Sequence, residues 1–262
     1  MNRFILAVSI FCFTRFLYSQ SPYEKYSATD NAILGVTALG GLTSLYLDHK
    51  MEPLTPKFAA TLDRNDVNPF DRPATYNLSD DAVRLSDYGL YAGMMLPLGL
   101  LADSRISQGS PRVAYLYLET MAITGVLTEL AKVTVQRIRP WVYNEKVPLE
   151  KKEGKEGKKS FFSGHTSVSF AGSIFFAKVY SDYYPDSKWT PYIWGGSIAL
   201  SSAVGYWRVR AGRHFATDVI VASLVGGAVA YFIPELHKKQ AQNMRNQSHS
   251  AEPMMVGFRV NF

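Results

Sequence analysis

The chain has a single cysteine, Cys12, among its 262 residues. This cysteine lies within an apolar stretch, Phe4 to Phe13, that follows Arg3. A positive start, an apolar centre and a short region ending at Gln20 are typical of an export signal, so residues 1–20 are expected to be a signal peptide or, if retained, an N-terminal anchor. Once such a signal is removed, the chain has no thiol and no disulfide, and packing must supply its stability.

The chain also has few charged residues and few long, uninterrupted apolar runs. Charged residues make up 19% of the chain, and the mean hydropathy of −0.06 is low for a protein that crosses a membrane many times. Even so, about five apolar runs of roughly 15 to 20 residues follow the signal, close to the length that a bilayer requires. We therefore expect an all-α fold, a helical bundle of about five to six helices, embedded in a membrane rather than soluble.

The distribution of these runs predicts four parts. Residues 1–20 are the signal, residues 21–85 combine an apolar run with a polar, amphipathic segment, residues 86–234 form the main bundle, and residues 235–262 are a basic polar tail. The tail ends in an alternating stretch, but no series of such segments precedes it, so a barrel is not expected.

Two polar stretches are expected to lack regular structure. Residues 141–160 contain the run KKEGKEGKK, which is typical of a mobile, solvated segment; a flexible rim that attracts anions is the alternative. The aspartates between Asp63 and Asp81 lack the spacing of a calcium loop, so we expect no metal site there. Basic patches suit anionic partners, but no nucleic-acid motif accompanies them.

Three blocks concentrate residues suited to phosphate chemistry: Lys132 to Pro140 (KVTVQRIRP), Ser163 to Ser167 (SGHTS) and Ser202 to Asp218 (SAVGYWRVRAGRHFATD). A phosphoryl group in transfer carries negative charge on its equatorial oxygens, so its catalysis depends on fixed positive groups and a positioned nucleophile. Lys132, Arg139 and Arg208 can supply the charge, and the two guanidinium groups can bind phosphate oxygens in a bidentate manner.

The histidines of the second and third blocks can supply the chemistry. If a helix has begun by His214, Asp218 shares its face and can hold one imidazole nitrogen as N–H, which leaves the other nitrogen free to attack phosphorus. His165 is then the acid that protonates the leaving oxygen. Ser163 and Gly164 precede a helix-like run, whose free N–H groups favour an anion.

The spacing of the first block predicts its geometry. Lys132 and Arg139 are seven residues apart, so they are expected on one side of a single helix that ends near Arg139, because Pro140 disfavours helical geometry in the residue before it. Glu129 lies on the same face as Lys132, where it orients the lysine, forms a structural ion pair with it, or is a plain surface acid.

Together the blocks resemble the type 2 phosphatidic acid phosphatases, a superfamily shared with vanadium haloperoxidases and bacterial class A acid phosphatases. Its pattern is a lysine six residues before Arg-Pro, then Pro-Ser-Gly-His, then Ser-Arg, five residues, His, three residues and Asp. Phe162 stands in place of the proline and Trp207 in place of the serine. The resemblance covers about Glu119 to Pro234. It implies catalytic roles for His214, Asp218 and His165, and phosphate binding by Lys132, Arg139, Ser163, Gly164 and Arg208.

The resulting hypothesis is a metal-independent phosphatase without cofactor that hydrolyses lipid phosphate monoesters through a phosphohistidine. Phosphatidate, a polyprenyl phosphate or diphosphate, and the phosphate of lipid A are the candidate substrates, and the apolar runs beside the site motivate them. A soluble periplasmic acid phosphatase, a vanadate-dependent haloperoxidase and a non-catalytic envelope protein are the alternatives. We expect a bacterial-type envelope location with the site on the periplasmic side; the oligomeric state is left open.

Overall fold

The computed structural model describes residues 21–24 and 27–238. The predicted signal and nearly all of the predicted tail lie outside these residues. Within them every regular element is helical, which confirms the all-α prediction. The α-helices are α1 (Ala28–Lys50), α2 (Pro56–Ala59), α3 (Asp80–Met95), α4 (Ser104–Ser107), α5 (Ser110–Val135), α6 (Gly164–Tyr183), α7 (Thr190–Arg210) and α8 (Ala216–Leu236). Six are long, in agreement with the expected five to six.

Short 3-10 segments connect the long helices. They are Arg64–Asp66, Arg72–Tyr76, Leu96–Ala102, Pro140–Tyr143, Leu149–Lys151 and Lys155–Lys158. The segment Leu96–Ala102 continues α3 beyond Met95, where the sequence places Pro97 as a kink. A proline removes one helical hydrogen bond, so the change from α to 3-10 geometry at this point has a local cause.

Helix α6 is the centre of the bundle. It packs against α3, α5, α7 and α8, and α1 packs on the outer side of α5. The long helices alternate in direction, so the end of α5, the start of α6, the end of α7 and the start of α8 meet at one end of the bundle. This arrangement brings the three sequence blocks together.

Two predicted boundaries differ from the structure. The division expected at residue 86 falls inside α3, so residues 80–85 belong to the same helix as Asp87. Helix α5 ends at Val135, not near Arg139, because Gln136 adopts left-handed geometry with φ of 48° and turns the chain away. Arg139 is therefore not on the helix that carries Lys132.

Small residues allow the central helices to approach closely. A β-carbon at Gly172 of α6 would overlap the carbonyl oxygen of Gly93 in α3, and one at Gly226 of α8 would overlap that of Ser167 in α6. In the pair Gly226-Gly227, the first glycine therefore makes the close helix contact. Such crossings of small residues are typical of helix packing in membranes.

The interior combines an apolar core with buried polar side chains, and many apolar side chains lie on the exterior. Thr120, Thr124 and Thr128 form a buried stripe on α5, each donating to the carbonyl four residues earlier. By contrast, large apolar side chains are exposed along α1, α5, α7 and α8, among them Leu34, Val36, Leu39, Leu42, Leu45, Leu118, Leu127, Ile198, Ile220, Leu224 and Phe232. Contiguous exposed apolar surface of this kind marks an interaction with a membrane or another protein.

In the described part of the chain one helix, Ala216–Leu236, is long and apolar enough to cross a membrane by length and composition, and 28% of its most apolar window is buried. The sequence count of about five crossing runs is therefore too high by this criterion. The other long helices contain more serine, threonine, glycine or charge, which lowers their mean hydropathy.

Residues 141–160 are not the mobile segment expected from their composition. The Arg139 amide donates to the Gly157 carbonyl, and the backbones of Leu54 and Gly154 exchange two hydrogen bonds. Lys159 forms an ion pair with Asp48 at 2.7 Å. The lysines thus have fixed partners on the end of α1 and on the loop that follows it, and these contacts fold the segment over the site.

Candidate active site

Both nitrogens of the His214 ring have defined surroundings. Its Nδ1 donates to the carbonyl of Ser160 at 2.7 Å, because a carbonyl oxygen can only accept. Its Nε2 lies 3.5 Å from Nη1 of Arg139. The side chain is buried, and burial together with the charges of Arg139 and Arg208 holds its pKa well below the usual value. The ring is therefore neutral at pH 7, with an Nε2 lone pair directed at a cationic pocket.

His214 is positioned by the short turn after α7. That helix ends at Arg210, and Gly212 follows with φ of 67°, where a β-carbon would also overlap the Asn77 carbonyl. Only glycine adopts this geometry without strain. The His214 amide then donates to the Arg208 carbonyl at 3.4 Å. The turn thus fixes the histidine beside the phosphate-binding arginine of the same block.

Asp218 lies close to His214 but does not form the predicted hydrogen bond with it. Its Oδ2 is 3.8 Å from the His214 Nδ1. The same oxygen accepts from the Ser160 hydroxyl at 2.5 Å and from the Phe215 amide at 2.9 Å. Helix α8 begins at Ala216, after His214, so the two residues do not share a helical face as the sequence spacing suggested.

Arg137 connects Asp218 to a second buried carboxylate. Its guanidinium donates to Asp218 at 2.5 Å and to Asp71 at 2.8 Å. Asp71 also accepts from the amide and hydroxyl of Thr217. Burial raises the pKa of Asp71, but the hydrogen bonds from Thr217 and Arg137 outweigh it and leave the pKa below its usual value. Asp71 thus links Arg137 to the start of α8.

His165 and Arg208 share the acidic residue Asp87. The His165 Nε2 lies 2.8 Å from Asp87 Oδ1, and Arg208 Nη1 lies 3.9 Å from the same oxygen. Arg208 is buried and also donates to the Ser86 hydroxyl at 3.2 Å. Helix α3 thus supplies a carboxylate that can balance positive charge on either residue.

The remaining predicted phosphate ligands border the same space. Lys132 lies against Gly164, where a β-carbon would be 3.3 Å from its Nζ, and Nζ donates to Glu129 at 2.7 Å. Ser163 caps α6 by accepting from Thr166. The first-turn N–H groups of α6, at Gly164 and beyond, have no carbonyl four residues earlier in the helix to accept from them, so this end of the helix favours an anion.

Arg139 completes the cationic side of the site. It is buried, its Nε donates to the Glu156 carbonyl at 2.9 Å, and its Nη2 lies 3.5 Å from the Glu156 carboxylate. These partners come from residues 141–160, so the folded loop aims the guanidinium at His214. All eight site residues named from the sequence therefore lie around one space.

Four further residues were missed by sequence reasoning. Arg137 lies within the first block and Ser160 just before the second, so their positions were a usable signal. Asp71 and Asp87 lie far from the blocks along the chain, and nothing in their local sequence indicates that they reach the site.

Part of the chain is similar in sequence to known proteins. Residues 114–242 match the PAP2 superfamily. The rat protein named phospholipid phosphatase 1 is 31% identical over 129 residues, which cover 41% of this chain and 45% of that protein. The mouse protein of the same name is 28% identical over 213 residues, covering 63% of this chain and 74% of its own length. Lipid phosphate phosphatase 1 of Arabidopsis thaliana is 34% identical over 135 residues, 42% of this chain and 40% of that protein. No solved structure matches the chain significantly.

The all-helical fold and the matched segment define a PAP2 superfamily domain. This superfamily includes the type 2 phosphatidic acid phosphatases that the three blocks of the chain resemble.

Proposed function

We propose that the protein is a lipid phosphatase that hydrolyses phosphate monoesters through a phosphohistidine at His214, with no metal in the reaction. The observation that carries this proposal is the ring of His214, whose Nδ1 is held by the Ser160 carbonyl while Nε2 faces Arg139. A fixed tautomer with its lone pair among cations is what attack on an anionic phosphorus requires.

In the first step, Nε2 of His214 forms a bond to phosphorus while the bond from phosphorus to the lipid oxygen breaks. Lys132, Arg139, Arg208 and the N-terminus of α6 stabilise the charge on the equatorial oxygens. His165, once protonated beside Asp87, transfers a proton to the leaving oxygen. The products are the lipid alcohol and a phosphohistidine.

In the second step, water attacks the phosphohistidine and the bond between phosphorus and Nε2 breaks. The neutral His165 takes a proton from this water, which restores the imidazolium, and inorganic phosphate leaves. The cations already present around the site supply the charge stabilisation that metal ions give in other phosphatases. A role for a metal in the chemistry is therefore not needed.

The lipid nature of the substrate is supported by the exterior of the bundle and by the relatives. Apolar side chains on α1, α5, α7 and α8 face outward while threonines and serines lie inside, an arrangement that suits helices surrounded by lipid. Three relatives are named as phospholipid or lipid phosphate phosphatases. We infer that the bundle is embedded in a membrane and that its substrate is phosphatidate, a polyprenyl phosphate or diphosphate, or the phosphate of lipid A.

The test measures phosphate release by detergent-purified protein in the presence of a chelator, comparing a long-chain lipid phosphate with a small soluble phosphomonoester. Preference for the lipid, and its loss in His214→Ala but not in the exposed control His49→Ala, is the expected result. Equal turnover of the soluble ester would instead indicate an acid phosphatase. Halide oxidation upon addition of vanadate, without phosphate release, would indicate a haloperoxidase.

A further inference from the structure

A second cluster of ionisable side chains lies at the opposite end of the bundle from His214. It consists of Asp30 at the start of α1, Glu119 in α5 and His237 at the end of α8, all buried. Glu119 precedes Lys132 by 13 residues, which at the helical rise places it about 20 Å from the phosphate-binding lysine. The cluster therefore has no part in the proposed phosphoryl transfer.

The His237 ring presents a lone pair to the cluster. Its Nδ1 donates to the Ile233 carbonyl at 2.8 Å, so in the neutral imidazole Nε2 carries no hydrogen. That Nε2 lies 3.3 Å from Asp30 Oδ1 and has no hydrogen-bond partner among the described residues. A histidine that donates its other nitrogen to a backbone carbonyl has the arrangement usual for metal-binding histidines.

Glu119 adds unsatisfied acceptors to the same space. It is 7% exposed, and neither carboxylate oxygen has a hydrogen-bond partner among the described residues. Leaving a buried carboxylate without partners is costly. A single proton can join one pair of these acceptors, whereas a divalent cation can bind an oxygen of Asp30, an oxygen of Glu119 and Nε2 of His237 together.

The distances suit a small transition-metal ion. One ligand atom from each residue lies within 4.8 Å of the others. Bonds of about 2.0 to 2.2 Å in a tetrahedral zinc site separate neighbouring ligand atoms by roughly 3.4 Å. The pair Asp30 Oδ1 and His237 Nε2 already has this spacing at 3.3 Å, so Glu119 is the ligand that must move inward.

Asp30 is held in place by other groups. Arg112 donates to its Oδ1 at 2.6 Å, while the amide and hydroxyl of Ser27 donate to its Oδ2 at 2.5 and 3.0 Å. Arg112 offsets the charge of Asp30, so with Glu119 ionised and a neutral imidazole the donor set has a net charge of −1. This charge favours a cation at the centre.

We propose that Asp30, Glu119 and His237 form a binding site for a divalent transition-metal ion, with Zn²⁺ as the best fit to one imidazole and two carboxylates. The ion joins the start of α1 and the end of α8 to α5, and its role is structural. This site goes beyond the sequence, from which no metal was expected.

The experiment uses the full chain purified in detergent with an affinity tag that does not bind metal. After equilibration with Zn²⁺ and removal of excess, one ion per chain is expected. Bound Co²⁺ should give the visible absorption of a four-coordinate site, and a chelator should lower Tm. Glu119→Gln and His237→Gln should each weaken binding at least tenfold and remove the chelator effect on Tm, whereas His49→Gln, an exposed histidine of α1, should change neither.

Two outcomes would overturn the site. Wild-type protein that binds less than a tenth of an equivalent, with the same Tm in zinc and in chelator, would show that protons alone satisfy the cluster. Undiminished binding in both variants would place the metal elsewhere. If Glu119→Gln fails to fold, His237→Gln and the Co²⁺ spectrum of the wild type still decide. Phosphate release in chelator is measured separately, so failure of this site leaves the proposed function standing.

Discussion

The Asp218 carboxylate reaches His214 through Ser160. Its Oδ2 accepts the Ser160 hydroxyl at 2.5 Å, and the Ser160 carbonyl accepts from His214 Nδ1 at 2.7 Å. The Asp218 carboxylate therefore holds Ser160, and Ser160 in turn holds the His214 ring. The carboxylate also holds Arg137, whose second carboxylate partner is Asp71.

Replacing Asp218 should therefore impair catalysis without abolishing it. We expect Asp218→Asn to lower kcat by about 10²-fold, because Ser160 loses its charged partner and its carbonyl then holds the imidazole less firmly. His214→Ala should lower kcat to background in the same assay of phosphate release. An Asp218 variant as inactive as the His214 variant, at unchanged Tm, would mean that the carboxylate takes a direct part in the chemistry.

Asp87 should matter for the proton transfers of His165. Asp87→Asn keeps the shape but removes the charge that balances an imidazolium, so kcat is expected to fall by about 10²-fold with a smaller change in KM. Asp186→Asn, in the turn between α6 and α7, is the matched control. A change confined to KM would instead assign Asp87 to substrate binding through Arg208.

The buried His214 predicts a dependence of stability on pH. Its folded pKa lies well below the unfolded value near 6.5, because of burial and of Arg139 and Arg208. As pH falls below 6.5, only the unfolded chain gains a proton at this position, so stability present above that pH is lost. Between pH 8 and 5, Tm of the wild type should fall more steeply than Tm of His214→Gln. Parallel curves would show that the ring is protonated in the folded protein.

Gly172 tests the close crossing of α3 and α6. Gly172→Ala forces the two backbones apart, because the new β-carbon overlaps the Gly93 carbonyl. We expect a loss of at least about 2 kcal/mol, read as a lower Tm in detergent. Gly196→Ala on α7, which has open space around it, should be neutral or slightly stabilising. Equal Tm for the two variants would contradict the packing described here.

Membrane embedding and the side on which the site opens are both proposals, and a single introduced cysteine can test the side. Lys155 lies in the loop over the site, and Cys12 is the only cysteine of the chain. With Cys12 replaced by serine, Lys155→Cys should react with a membrane-impermeant maleimide in intact cells if the site faces the periplasm. Labelling only after lysis would place the site on the cytoplasmic side. This side is expected if residue 21 is exported and α1 then crosses the membrane.

Sequence reasoning identified residues that the structure brings close together, but it missed several groups that hold them in place. Blocks with fixed internal spacing identified the histidines and cations because the blocks lie at the helix ends that meet there: the end of α5, the start of α6, and the end of α7 with the start of α8. The prediction that Arg139 lies on the same helix as Lys132 was wrong, because the left-handed geometry of Gln136 is not evident from its residue type. The folded state of residues 141–160 was also missed, because composition does not reveal that Asp48 and Leu54 lie opposite that segment.

The distant carboxylates were beyond sequence reasoning for the same reason. Asp71 lies in a polar connection, and only tertiary contacts bring it to Arg137 and Thr217. The apolar runs were recognisable in the sequence, but the side of each helix that faces outward was not. That side depends on where threonine and serine side chains meet across α5, α6 and α7.

Helix α3 and the connection before it lie outside the segment that matches the superfamily, yet they supply Asp71, Ser86 and Asp87. A fragment starting at residue 114 would leave Arg137 with one carboxylate instead of two, and would deprive His165 and Arg208 of the acid they share. It would also expose the face of α6 that Gly93 covers. The segment that matches the superfamily is thus only part of the enzyme. Moving this segment into another scaffold would require residues 71–95 to be included as well.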